Sequence, residues 1–157
     1  MKVRPVTPDD VHQLSELYTD LQKRYVELAY PTGFQELERD SDVGHVIYET
    51  VYTNPDSLVK TFVAESLEDE LVGFVTGEII PAYYDLGRVG SVRNFYVENR
   101  SLLHDVGGKL FAEVEEWFIR SACRYIRTDT WMVNGRCVES FRDLSRKDFS
   151  VHVVTRE

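Results

Sequence analysis

The sequence predicts an α/β protein of the α+β kind: a mixed, mostly antiparallel central sheet, flanked by helices and splayed between its fourth and fifth strands. Three observations predict it. Runs of strand composition and runs of helical spacing follow in the order strand, helices, antiparallel strands, helix, strand, helix, strand, the pattern of one sheet with helices on its faces. The 157 residues are 43% hydrophobic and show no repeat, low-complexity tract or linker-like break, so a single domain over residues 1–157 is expected. Finally, Gly107 and Gly108 stand between a strand and an amphipathic run, where a strand can part from its neighbour.

Each element has a local reason. "VRPVT" alternates as a short strand, and "TPDD" then supplies Thr7 as N-cap, Pro8 at the first helical position and two acids in the first turn. Val11, Leu14, Tyr18, Leu21 and Tyr25 follow at helical spacing as one apolar stripe. "YPTG" breaks the chain, and the stretch from Phe34 to Ser57 reads as one or two shorter helices closed by Asn54-Pro55. "KTFVAES" and "LVGFVTGEII", joined by acidic "LEDE", read as a hairpin. Gly87 and Gly90 bracket a turn before a strand "SVRNFYV", and after the glycine pair Leu110, Val114, Trp117 and Phe118 share one helix face. "RYIRTDTW" is the next strand, "NGRCVESFRDL" a short helix opened by Asn134, and "FSVHVVTRE" a closing strand.

Composition excludes several functions. A formal charge of −9 argues against nucleic acid, which requires clustered Lys and Arg, and suits a cationic or amine-bearing partner or plain solubility. No apolar run approaches the roughly 20 residues of a membrane span, so no membrane partner is expected. The start "MKVRPVTPDD" has no signal-peptide core, so a cytoplasmic location is expected. Cys123 and Cys137 are too few for a disulfide framework and read as buried hydrophobes. His12, His45, His104 and His152 are scattered, so no metal site is expected. Neither a GxSxG elbow nor a Walker loop occurs.

"VRPVTPDDVHQLSELY", "FVAESLEDELVGFVTGEI" with its Gly73, "VRNFYVEN" and "WMVNGRCVESF" stand in order and at fitting distances. Together they resemble the GNAT superfamily of acyl-CoA-dependent N-acyltransferases over nearly the whole chain. The resemblance implies acetyl-CoA as cofactor and an amine-bearing acceptor, a small molecule or a protein; it also allows a homodimer.

It implies a cofactor site too. The backbone of Phe95, Tyr96 and Val97 would pair with the pantetheine arm as an added strand. The turn of Leu102, Leu103, His104, Asp105, Val106, Gly107, Gly108 and Lys109 would meet the pyrophosphate at a helix N-terminus. Asn134 would stand beside the pantetheine. In the preferred frame the family's arginine or glutamine falls on Leu102, its first glycine on Asp105 and its last small residue on Gly107. A shift by one would use Leu103, Val106 and Gly108. Either frame lacks the cation and the first glycine, so a weakened anion site is expected, with Arg100, His104 and Lys109 near enough to compensate.

The usual general acid, a tyrosine, falls on Phe141, and a glutamate base of some members falls on Ser91. Tyr96 could place its hydroxyl near the thioester, and Glu78 could reach an amine through water; a half-buried sheet aromatic and a solvated rim charge are the plainer readings. "AYYDLG", with Tyr83, Tyr84 and Asp85, offers aromatics beside a carboxylate for an ammonium group, or is simply a hairpin loop. Two functions compete: an N-acetyltransferase, or a GNAT-fold protein without turnover that binds acyl-CoA or a protein partner.

Overall fold

The computed structural model describes residues 1–29, 57–131, 137–145 and 151–156. The expected helices between Phe34 and Ser57 lie outside the described residues, as does Asn134.

Among the described residues, seven strands form one sheet in sequential order: β1 (Lys2–Pro5), β2 (Val59–Glu65), β3 (Leu71–Ile80), β4 (Val89–Val97), β5 (Tyr125–Trp131), β6 (Cys137–Asp143) and β7 (Val151–Arg156). Every neighbouring pair is antiparallel except β4–β5, which is parallel. A parallel pair needs a crossover, and helix α2 (Leu103–Arg120) supplies it. Helix α1 (Val11–Ala29) follows a single 3-10 turn, Pro8–Asp10, capped at Thr7 as the "TPDD" motif predicts.

Alternation along the strands sends side chains to two cores. Phe62, Val75 and Val97 face Val106, Leu110, Val114 and Phe118 of α2. Val63, Phe74 and Tyr96 face Leu14, Leu17 and Tyr18 of α1. The sheet is thus sandwiched by the two helices; of the stripe predicted for α1, Val11, Leu14, Tyr18 and Leu21 pack on it, and the stripe predicted for α2 is the face it buries. Gly90 is not in the turn but inside β4, where a Cβ would stand 2.3 Å from the Phe118 ring.

The first turn is tied down by charge. Arg4 of β1 grips Asp10 with both terminal nitrogens, at 2.7 and 2.8 Å, and Glu65 of β2 with Nε at 2.8 Å. The Asp10 carboxylate also accepts from the backbone N–H of Thr7 at 2.8 Å, which fixes where α1 begins.

One element departs from expectation. Cys137–Asp143 is a strand and not part of a helix, paired residue for residue with β5 from Tyr125↔Asp143 to Trp131↔Cys137. Asn134 is a helix-start signal and "CVESFRD" shows no strict alternation, but a strand there gains a full ladder against β5 on one side and β7 on the other.

Candidate active site

The site begins with a bulge. Gly77 of β3 faces Val92 and Thr76 faces Asn94, so Arg93 is an extra residue in β4. A bulge bends its strand and increases local twist. Here the bend coincides with a parting: β4 and β5 pair only from Val89↔Tyr125 to Val92↔Thr128. Beyond Thr128 the strands diverge, which is the expected splay.

Alternation decides what the fork displays. The Glu98 N–H donates to the Val72 carbonyl at 2.9 Å, so the Tyr96 backbone also faces β3. The N–H and C=O groups of Phe95 and Val97 therefore face the fork, where β5 gives them no partner. An extended amide-bearing chain laid into the fork would satisfy them.

At the head of the fork Asn99 caps a 3-10 turn, Arg100–Leu102, which runs into α2. Helical structure thus starts at Arg100, before the glycine pair rather than after it, because Asn99 provides the cap. Its side chain accepts from Ser101 N–H at 3.0 Å, and its carbonyl accepts from Leu102 N–H at 2.9 Å. Leu103 N–H donates to the Arg100 carbonyl. The N–H groups of Ser101, Leu102 and Leu103 are thus already engaged, His104 and Asp105 belong to the first turn of the helix, and Val106, Gly107 and Gly108 lie further inside it, where N–H groups bond four residues back. Leu102, Leu103, His104 and Asp105 are exposed. Lys109 pairs with Asp105 at 3.3 Å. Gly107 is buried against Phe95: a Cβ there would lie 2.9 Å from the ring. The corner is a helix N-terminus with little net positive charge.

The other side of the sheet gathers residues that the sequence scatters. By register Glu78, Ser91, Arg127 and Phe141 stand opposite one another across β3, β4, β5 and β6. This row lies one residue before the strands part. Arg127 Nη1 donates to Ser91 Oγ at 3.0 Å. Its guanidinium sits 5.3 Å from the Tyr83 ring centroid, and Phe141 packs on the same tyrosine at 5.7 Å. Tyr84 meets Tyr83 edge-on at 5.0 Å. Glu78 lies 3.8 Å from Arg93 of the bulge.

Most of the predicted site residues fall into two places. Phe95, Val97 and Gly107 line the fork and its head. Tyr83, Glu78 and Phe141 join Arg127 on the opposite face. Phe141 packs on Tyr83 at 5.7 Å from strand β6. Asp85 is exposed in the β3–β4 turn. Tyr96 belongs to neither place. Its side chain is 5% exposed in the core beneath α1, with the Arg24 guanidinium 5.1 Å from its ring and a hydroxyl lacking a hydrogen-bond partner among the described residues. Burial pushes that hydroxyl above the ordinary tyrosine pKa. Sequence reasoning missed Arg127 and Asn99. Asn99 carried a readable cap signal; Arg127 carried none, since its partners lie on other strands.

No protein-family model matches the sequence, and no curated protein matches it. Solved structures do. An acetyltransferase of the GNAT family from Staphylococcus aureus superposes over 83% of this chain and 73% of its own, with a TM-score of 0.60 at 13% identity. This chain has the GNAT fold. Two other GNAT-fold neighbours are aminoglycoside 6'-N-acetyltransferases. AAC(6')-Ih from Acinetobacter baumannii matches at 14% identity over 85% of this chain and 81% of its own, with a TM-score of 0.64. AAC(6')-Iy, in complex with a CoA bisubstrate analog, matches at 19% over 82% and 78%, with a TM-score of 0.57. Among the described residues of this GNAT-fold chain, no helix is long and apolar enough to cross a membrane.

Proposed function

We propose that this chain is an acetyl-CoA-dependent N-acyltransferase that moves an acetyl group to a primary amine of a small molecule or a protein. The fork beyond Val92 carries the reading, because it leaves the backbone of Phe95 and Val97 without a strand partner beside the N-terminus of α2. That edge fits the two amides of a pantetheine arm, and the Gly107 contact keeps the head of the fork in shape. The corner fits a diphosphate less well: Asp105 about 5 Å from one would cost roughly 3 kcal/mol at an effective dielectric near 20, less when solvated.

When bound, acetyl-CoA supplies the activated acyl carbon. The Phe95 or Val97 N–H, which faces the fork, would be a fixed donor to the thioester carbonyl oxygen, needing no reorganisation. Glu78, on the acceptor face, takes the amine's proton through water as the nitrogen attacks. Tyr96 is the remaining candidate donor to the leaving thiolate; its hydroxyl is sealed beneath α1, so that role requires α1 to shift. Positioning supplies most of the acceleration, because the amine and thioester are intrinsically reactive.

A second reading keeps the fold and drops the turnover: an acyl-CoA-binding or protein-interaction module. Leu102 and Asp105 at the anion corner favour it. Calorimetry with acetyl-CoA and CoA, followed by thiol release with kanamycin A, spermidine and lysine, separates the two; the aminoglycoside comes first because two GNAT-fold neighbours act on that class. Amine-dependent thiol release supports the enzyme. Binding without release supports the acyl-CoA-binding module, and no binding sinks both the enzyme and that module, leaving protein interaction.

A further inference from the structure

We infer that Arg127 is a positioning residue for the acceptor amine, acting through Tyr83. The inference rests on the acyltransferase reading above and names a residue of its acceptor side. Tyr83 belongs to the β3–β4 connection, a tight turn in which Tyr83 N–H donates to the Gly87 carbonyl at 2.8 Å and Leu86 N–H to the Tyr83 carbonyl at 3.0 Å. Two of its residues hold positive φ, Tyr84 at 50° and Gly87 at 75°. A non-glycine residue there is sustained only by surrounding contacts.

Those contacts converge on Tyr83. Arg127 stacks on its ring, Phe141 packs beside it, and Tyr84 closes edge-on. Arg127 also holds Ser91 on β4, so one guanidinium couples the turn to the row next to the last pair, Val92–Thr128, before the fork. A planar guanidinium can stack and donate in-plane at once, which an ammonium cannot do. The arrangement also changes the role of Tyr83. An internal cation already engages its ring, so Tyr83 acts as a wall set by Arg127 rather than as a cage for an ammonium group.

Hydrogen exchange and kinetics on the full chain test this with Arg127→Gln, Arg127→Lys and Tyr83→Leu. In Arg127→Gln, exchange at the Tyr83 and Leu86 amides should rise about tenfold while amides of β2 and β3 stay unchanged, because the loss is local. For the best-used amine among kanamycin A, spermidine and lysine, the acceptor KM should rise about tenfold with kcat and the acetyl-CoA KM nearly constant. Tyr83→Leu should reproduce the KM effect, and Arg127→Lys should restore part of it. Unchanged turn exchange, or an acetyl-CoA KM that rises equally, overturns the assignment. If the wild type acetylates none of these amines, the acyltransferase reading falls, and the exchange result alone decides whether Arg127 orders the turn.

Discussion

Val92 and Thr128 are the last residues paired between β4 and β5, and the next residue of β4, Arg93, is the bulge. The parting therefore has a local cause in the extra residue. Deleting Arg93 should restore a regular β3–β4 register and let β4 follow β5 further. Acetyl-CoA affinity by calorimetry should then fall by at least about tenfold, the scale on which a misplaced site costs binding. An unaltered affinity would place the donor site elsewhere.

Gly107 tests the same fork from the helix side. A Cβ at this position would come 2.9 Å from the Phe95 ring, so a larger side chain must displace the strand that carries the fork backbone. Gly107→Leu should abolish measurable acetyl-CoA binding and lower stability by about 1–3 kcal/mol through overpacking. Gly107→Ala should sit between it and wild type. Chemical denaturation alongside calorimetry distinguishes a lost site from a lost fold.

The corner charge makes a third case. Asp105→Gly removes a like charge, and Leu102→Arg adds a cation at an exposed position. Each change contributes about 1–3 kcal/mol to diphosphate binding, so the double variant should bind acetyl-CoA at least about tenfold more tightly. Screening acts on the same interactions, so the gain should shrink at high salt. Low-micromolar wild-type binding that neither change improves would rule out a weakened anion corner.

Tyr96 should separate stability from activity. Its hydroxyl is buried without a partner among the described residues, and such a group costs about 1–3 kcal/mol, so Tyr96→Phe should raise the melting temperature or leave it level. If the phenol protonates the thiolate, kcat should nevertheless fall. Burial raises the folded pKa, so the stability held by neutral Tyr96 is complete below about pH 10 and is lost as pH rises toward the folded value. The phenylalanine variant should lack that alkaline loss.

Asp10 gives the acid counterpart. The Arg4 guanidinium holds its carboxyl below the usual carboxylate range, against the opposing effect of burial. Its contribution is present above about pH 4 and disappears as pH falls through the depressed folded value. Asp10→Asn should cost about 1–3 kcal/mol at neutral pH, by leaving part of the Arg4 fork unmatched. The gap between variant and wild type should close in acid, as read by thermal melts across pH.

The sequence by itself determined the elements whose cause is local. Thr7 and Pro8 mark the start of the first helical turn, and the spacing of Leu110, Val114, Trp117 and Phe118 defines the face that α2 buries. Acidic "LEDE" between two β-rich runs makes the β2–β3 hairpin. Together with the strand–glycine–helix order, these signals were enough for the fold and for the parting of the fourth and fifth strands. Tertiary structure alone decided the rest. Cys137–Asp143 follows a helix-start signal and has no clear strand alternation, yet pairing with β5 and β7 made it a strand. That choice carried Phe141 to Tyr83. Ser91 and Arg127 are 36 positions apart, and only the parallel register puts guanidinium against hydroxyl. Helix caps and hairpins depend on neighbours within a few residues, which a sequence displays; a cross-sheet row depends on which strands pair and in what register, and that is fixed only when the whole sheet closes on its two cores.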